Sequence, residues 1–141
     1  MKQCYILGTE TLSELQANNF KIAVLQLYND GVRDFYLTAA SEFDLQATDL
    51  MRQLKHKQTD IRLFLVVPYS KTNFQIIPPY DFDDIYFPPL DGISPDQYWE
   101  YTQNTMMRDS QYTIVHMDNN IIINKNYKMS EQEIPGTIFQ G

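Results

Sequence analysis

The stretch Phe20-Lys-Ile-Ala-Val-Leu-Gln-Leu-Tyr28 decides the fold, because it reads two ways. Phe20, Ile22 and Val24 alternate as in a strand, yet the same run also fits a helix buried on most of its sides. Its surroundings favour the helix. Ser13-Glu-Leu-Gln16 upstream has capping-box spacing, and Asn29-Asp-Gly31 downstream supplies a C-terminal stop. As a helix, the stretch is the crossover between a strand at Gln3-Cys-Tyr-Ile-Leu7, ending at Gly8, and a second at Arg33-Asp-Phe-Tyr-Leu-Thr38.

Beyond that second strand, Phe43, Ala47, Leu50, Met51 and Leu54 recur with helical spacing, and Arg52, Lys55, His56 and Lys57 complement the negative end of the helix. Ile61-Arg-Leu-Phe-Leu-Val-Val67 follows as a nearly continuous apolar run stopped by Pro68, the pattern of a strand covered on both faces. Strand, helix, strand, helix, strand in this order predicts an α/β fold: a single Rossmann-like domain with a mostly parallel sheet flanked by helices.

Further along, Pro78-Pro79, Pro88-Pro89 and Pro95 exclude long regular elements. Asp84-Ile-Tyr-Phe87 reads as a short strand. Ser94-Pro-Asp-Gln97 opens a helix through about Asp109, with Ser at the N-cap and Pro at the first helical position. Tyr112-Thr-Ile-Val-His-Met117 is a strand, and Asp118-Asn-Asn120 turns into Ile121-Ile-Ile123. The α/β domain is expected over residues 1–124. Residues 125–141 show no clear period and read as a tail, packed on the surface or partly flexible.

At 141 residues the chain is long enough to bury one core. The net charge of −7, from 11 basic and 18 acidic residues, opposes binding to nucleic acid or anionic lipid, both of which need basic surface. The apolar runs are too short for a membrane span, and that at the N-terminus is too short for a signal peptide, so a cytoplasmic location is expected. Cys4, the single cysteine, excludes an internal disulfide and fits as a small core hydrophobe. His56 and His116 stand apart from any spaced Cys, His or carboxylate set, and Asp81, Asp83 and Asp84 lack the glycine and terminal Glu of a calcium loop. No metal or other cofactor is called for. Neither a Walker loop nor a Gly-x-Ser-x-Gly elbow occurs.

Gly31-Val, Phe35-Tyr, Ala40-x-x-Phe43-Asp44, Leu54-Lys55, Ile61-Arg-Leu with Val-Val-Pro-Tyr69, and Asn104-Thr-Met-Met-Arg-Asp-Ser110 come in an order that resembles one family. It is the YpsA/YoqJ-like branch of the SLOG superfamily, Rossmann-like relatives of the lysine-decarboxylase-like proteins, and the resemblance covers roughly residues 3 to 117. In that family a Gly-Gly-Ala-x-Gly-Phe-Asp loop after the second strand cradles a nucleotide or nucleotide-derived ligand. The resemblance therefore implies a ligand site of Gly8, Thr9, Thr38, Ala39, Ala40, Ser41, Asp44, Pro68, Tyr69, Asn104 and Arg108.

The loop departs from the family where phosphate chemistry is most demanding. Thr38 and Ala39 replace the paired glycines and Glu42 the third, so close approach of backbone amides to a phosphate is hindered and a carboxylate enters the first helical turn. Gly8-Thr-Glu10 carries an anion where the family has Arg, and Gln103-Asn104 replaces Arg-Asn. The chain thus reads as a non-catalytic SLOG-like protein with an altered or abandoned ligand site. Asp44 is left with two roles, contacting a ligand hydroxyl or pairing with Ser41 in a helix cap; Asn104 and Arg108 either face the crevice or lie on an exposed helix face.

The other function class is a small acidic interaction module, such as a phage- or mobile-element-encoded inhibitor or regulator, for a protein partner with a basic surface. Its surface would be Tyr80, Phe82, Tyr86, Phe87, Tyr98 and Trp99, unless these rings plug the core beneath a long loop.

Overall fold

A computed structural model describes residues 2–68 and 82–126 and, for the backbone, 137–140. Tyr69, Phe74, Tyr80 and Asp81 lie outside the described residues. The elements run β1 (Gln3–Gly8), α1 (Glu14–Asn29), β2 (Asp34–Leu37), α2 (Glu42–Lys57), β3 (Arg62–Val66), β4 (Asp84–Tyr86), α3 (Tyr98–Asp109), β5 (Tyr112–Met117), β6 (Asn120–Lys125) and β7 (Thr137–Gln140). A single 3-10 turn over Pro95–Gln97 leads into α3.

The deciding stretch is helical. Gln16, Asn19, Phe20, Ala23, Val24 and Leu27 are buried at helical spacing, whereas Ile22, inward in the strand reading, is 44% exposed. Ser13 Oγ accepts the Gln16 N–H at 3.1 Å, and Gly31 leaves the helix end at φ +101°, where a side chain would be strained.

With α1 as a crossover, β1 and β2 are parallel, and so are β2 with β3, β3 with β4 and β1 with β5. The sheet order is β4-β3-β2-β1-β5-β6-β7, seven strands among the described residues. β6 and β7 join antiparallel, β6 through a hairpin whose Asp118 and Asn119 both have positive φ, 53° and 60°, as the twist of a tight hairpin requires. Thr137–Gln140, in the region the sequence leaves without a period, forms the outermost strand beside β6.

Alternation along the strands builds a core on each face. Cys4 and Ile6 of β1, Phe35 and Leu37 of β2 and Ile114 of β5 pack with Phe20 and Val24 of α1 and with Phe43, Ala47 and Met51 of α2. Tyr5 and Val66 turn to the opposite face and meet Met106 of α3. Helices on both faces and a strand order that reverses between β1 and β5 define a doubly wound sheet. Ligands bind such sheets in the crevice outside the carboxyl ends of the strands nearest the reversal.

Two of the described rings of the aromatic segment pack on the core. Phe82 packs on the main core, and Tyr86 packs on the second cluster with its ring edge-on to Tyr36 at 5.9 Å. Phe87 and Tyr98 are half-buried, while Trp99 is 47% exposed. Among the described residues no helix is long and apolar enough to cross a membrane.

Candidate functional site

A cavity of about 350 Å³ opens where β1 and β2 end, beside the reversal point. Tyr5, Leu7, Gly8 and Thr9 come from β1 and its exit, Thr38, Ala40, Ser41 and Asp44 from the turn into α2, and Trp99 and Gln103 from α3. Of the residues expected from the sequence, Gly8, Thr9, Thr38, Ala40, Ser41 and Asp44 therefore come together. Ala39 and Pro68 do not line the cavity. Neither do Asn104 and Arg108, which stand exposed on α3, the Arg108 guanidinium pairing with Asp109 at 2.9 Å.

Local geometry explains this selection. Ser41 is the N-cap of α2, its Oγ accepting the Asp44 N–H at 3.1 Å, so the capping role expected for the Ser41-x-x-Asp44 pair is present. Asp44, only 4% exposed, does more than cap. Its Oδ2 accepts the Thr38 hydroxyl at 2.7 Å and the Ala40 N–H at 2.9 Å. An internal carboxylate thus takes the Ala40 amide and the Thr38 hydroxyl at the positive end of α2, where a glycine-rich loop would offer such donors to a phosphate. Its other oxygen, Oδ1, takes no hydrogen bond among the described residues, yet it is not among the unpartnered polar atoms sealed from solvent. Asp44 itself lines the cavity. Asp44 is the sole charged side chain among the described lining residues.

Opposite, Tyr5 donates its hydroxyl to Gln103 Oε1 at 2.8 Å. Burial, reinforced by the Asp44 charge, pushes the Tyr5 phenol upward, so Tyr5 stays a proton donor at neutral pH. Gln103 lines the cavity, but its Nε2 is sealed from solvent and has no acceptor among the described residues. Trp99 lies one helical turn before Gln103 and adds an indole to the same wall.

Gly8 has a packing reason of its own. A Cβ there would stand 2.6 Å from the Phe43 ring, which stacks on His116 at a 5.8 Å centroid distance. His116, fully buried on the α1 and α2 face, has Nδ1 2.9 Å from the Glu10 carbonyl, which assigns the ring proton to Nδ1. The Glu10 carboxylate accepts the Asn119 N–H of the hairpin turn at 3.0 Å and so has a structural task. Asp83 is likewise structural: it pairs with Lys55 at 2.9 Å and accepts the Leu63 N–H. Among the described residues no group of three or more His, Cys, Asp or Glu side chains gathers around a metal position.

Sequence reasoning missed Tyr5 altogether, did not assign Gln103 as a ligand contact, and read Trp99 as an interface residue. The signal for Trp99 and Gln103 is the period of α3: Trp99, Gln103 and Met106 recur at i, i+4 and i+7, with Met106 buried against the sheet. Asn104 and Arg108 lie on a different face of that helix. Compared with protein-family models and with curated proteins, the chain matches none.

Proposed function

We propose that the chain is a non-catalytic, SLOG-like binding module whose crevice at the ends of β1 and β2 takes a small ligand derived from a nucleotide, with the phosphate cradle of the ancestral loop lost. The observation that supports this reading is the Asp44 carboxylate, which takes the Thr38 hydroxyl and the Ala40 amide through Oδ2 and lines the cavity. Thr38 gives its proton to Asp44 and Ser41 caps α2, so both hydroxyls hold the loop in place. Binding, rather than bond-breaking, is what this arrangement favours. The test is a thermal-shift screen against nucleosides, nucleotides, ADP-ribose derivatives and cyclic dinucleotides. A ligand that binds the folded chain raises the melting temperature by mass action, and a flat response to the whole set at about millimolar concentration, far above a useful Kd, sinks the reading.

A second reading, an acidic interaction module for a protein with a basic surface, is favoured by Trp99, 47% exposed between the exposed carboxylates of Asp96 and Glu100. In that case Trp99→Ala abolishes partner capture from a host lysate while the fold survives; unchanged capture rejects it.

A further inference from the structure

Resting on the second reading above, we infer that the docking surface is the whole rim at the carboxyl end of the sheet, with Trp99 as one of four apolar anchors, and that it fits a different protein presenting a basic surface with an apolar centre. Six large apolar side chains are exposed among the described residues. Four of them stand at this end: Leu15, Leu45 and Trp99 at the heads of α1, α2 and α3, and Met117 at the end of β5. Hydrogen bonds and a shared cavity wall join these positions. Gln16 of α1 donates its side-chain amide to the Asn119 carbonyl in the hairpin after Met117. The Leu12 N–H, just before α1, is taken by Gln46 Oε1 of α2 at 2.7 Å. Trp99 lines the cavity together with Thr9 and Ser41.

Charge selects the partner. Glu10, Glu14, Glu42, Asp96, Glu100 and Asp118 are exposed on the same rim, and none pairs with a cation among the described residues. Acidic first turns suit the positive ends of helices, but Glu10 and Asp118 lie in loops, and no helix dipole calls for leucine or tryptophan in solvent. Cations concentrate at the opposite end of the sheet, where Arg33, Lys55, Arg62 and Arg108 pair with Asp60, Asp83, Asp34 and Asp109. A second copy thus meets this rim with like charge or with cations already engaged. A basic partner complements the rim and buries its apolar side chains.

The full chain is titrated by calorimetry with three tryptophan-free probes: an amphipathic helical peptide of leucine and lysine, a lysine homopolymer of the same charge, and a leucine-glutamate peptide of the same apolar pattern. The leucine-lysine peptide is expected to bind saturably, more weakly as salt rises, and roughly tenfold or more tightly than the homopolymer, while the leucine-glutamate peptide does not bind. Leu15→Ser combined with Leu45→Ser is expected to weaken the leucine-lysine peptide roughly tenfold or more, the order of one leucine losing its burial. Ile22→Ser combined with Met107→Ser removes the two exposed apolar side chains outside the rim and is expected to change nothing. All four positions are exposed, so the fold survives in both variants, which their melting temperatures check. Unaltered binding by the Leu15/Leu45 variant, with loss only in Trp99→Ala, overturns the rim and leaves the second reading standing. Equal weakening by the Ile22/Met107 variant, or a homopolymer bound as tightly as the leucine-lysine peptide, likewise overturns the rim alone. No binding of either basic probe overturns both.

Discussion

The Thr38 hydroxyl and the Asp44 carboxylate, six residues apart in the chain, meet at 2.7 Å across the turn from β2 into α2. Both side chains are buried, and the same carboxylate oxygen also takes the Ala40 amide. A buried acceptor shared by two donors holds the turn closed. The loop is therefore held in shape by its own side chains.

Thr38→Val keeps the shape of the side chain and removes its hydroxyl, leaving Asp44 short of one donor. It is expected to lower unfolding free energy by ~1–3 kcal/mol, the usual penalty when a charged buried acceptor loses a partner. Thr38→Ser, which keeps the donor, should lose clearly less. Urea unfolding of the three chains decides; equal midpoints for Val and Thr would show that the hydrogen bond contributes nothing.

Gly8→Ala places a methyl group 2.6 Å from the Phe43 ring, a distance real Cβ atoms do not adopt. The ring is confined by Phe20 edge-on at 6.4 Å and by His116 stacked at 5.8 Å, so relief needs movement of the core. A loss of ~1–3 kcal/mol is expected for this overpacking. In a Phe43→Leu background the added penalty of Gly8→Ala should shrink. A double-mutant cycle measures this, and strict additivity would rule out the proposed clash.

Ser13→Ala and Ser41→Ala each remove a side chain that accepts the backbone N–H of the third helical residue, from Gln16 in α1 and Asp44 in α2. Each should destabilise by ~1 kcal/mol, and the double variant by about the sum, since the caps belong to different helices. Ser41→Ala should in addition alter ligand titrations, because its helix also carries Asp44, whereas Ser13→Ala should leave them unchanged. A Ser13→Ala effect on binding of equal size would contradict this division.

Burial pushes the Cys4 thiol above its ordinary 9.0 and the Tyr5 phenol above its ordinary 10.0, so the folded chain keeps protons that the unfolded chain releases. The stability they contribute is fully present below the unfolded values and is lost as pH rises past about 9 for Cys4 and about 10 for Tyr5. Urea midpoints measured from about pH 8 to about pH 11 should fall along that interval, less steeply in Tyr5→Phe. A level profile would contradict the burial of these groups in protonated form. The same burial makes Cys4 react with a disulfide reagent only as fast as the chain opens.

Much of this molecule is written locally. The α2 stripe from Phe43 to Leu54, the caps at Ser13 and Ser41 and the apolar run of β3 follow from side-chain period and from hydrogen bonds spanning a few residues. Even the stretch from Phe20 to Tyr28, ambiguous alone, is resolved by the cap before it and the glycine after it. The residues at the head of α2 are legible as a strand-to-helix turn, the place where such sheets receive ligands.

Tertiary structure alone decided which way the site faces. Periodicity puts Trp99, Gln103 and Met106 on one face of α3, but only docking of α3 on Tyr5 and Val66 turns that face toward β1 and leaves Asn104 and Arg108 in solvent. The Asp44 carboxylate, legible as a capping partner, folds back onto Thr38 and Ala40 because the turn brings their donors within reach. The strand at Thr137–Gln140 is set by pairing with β6 and carries no signal in its own period. Short-range order fixes elements; the rotation of one packed element against another, and the fate of a single carboxylate oxygen, depend on contacts between residues far apart in the chain, whose geometry no local pattern encodes.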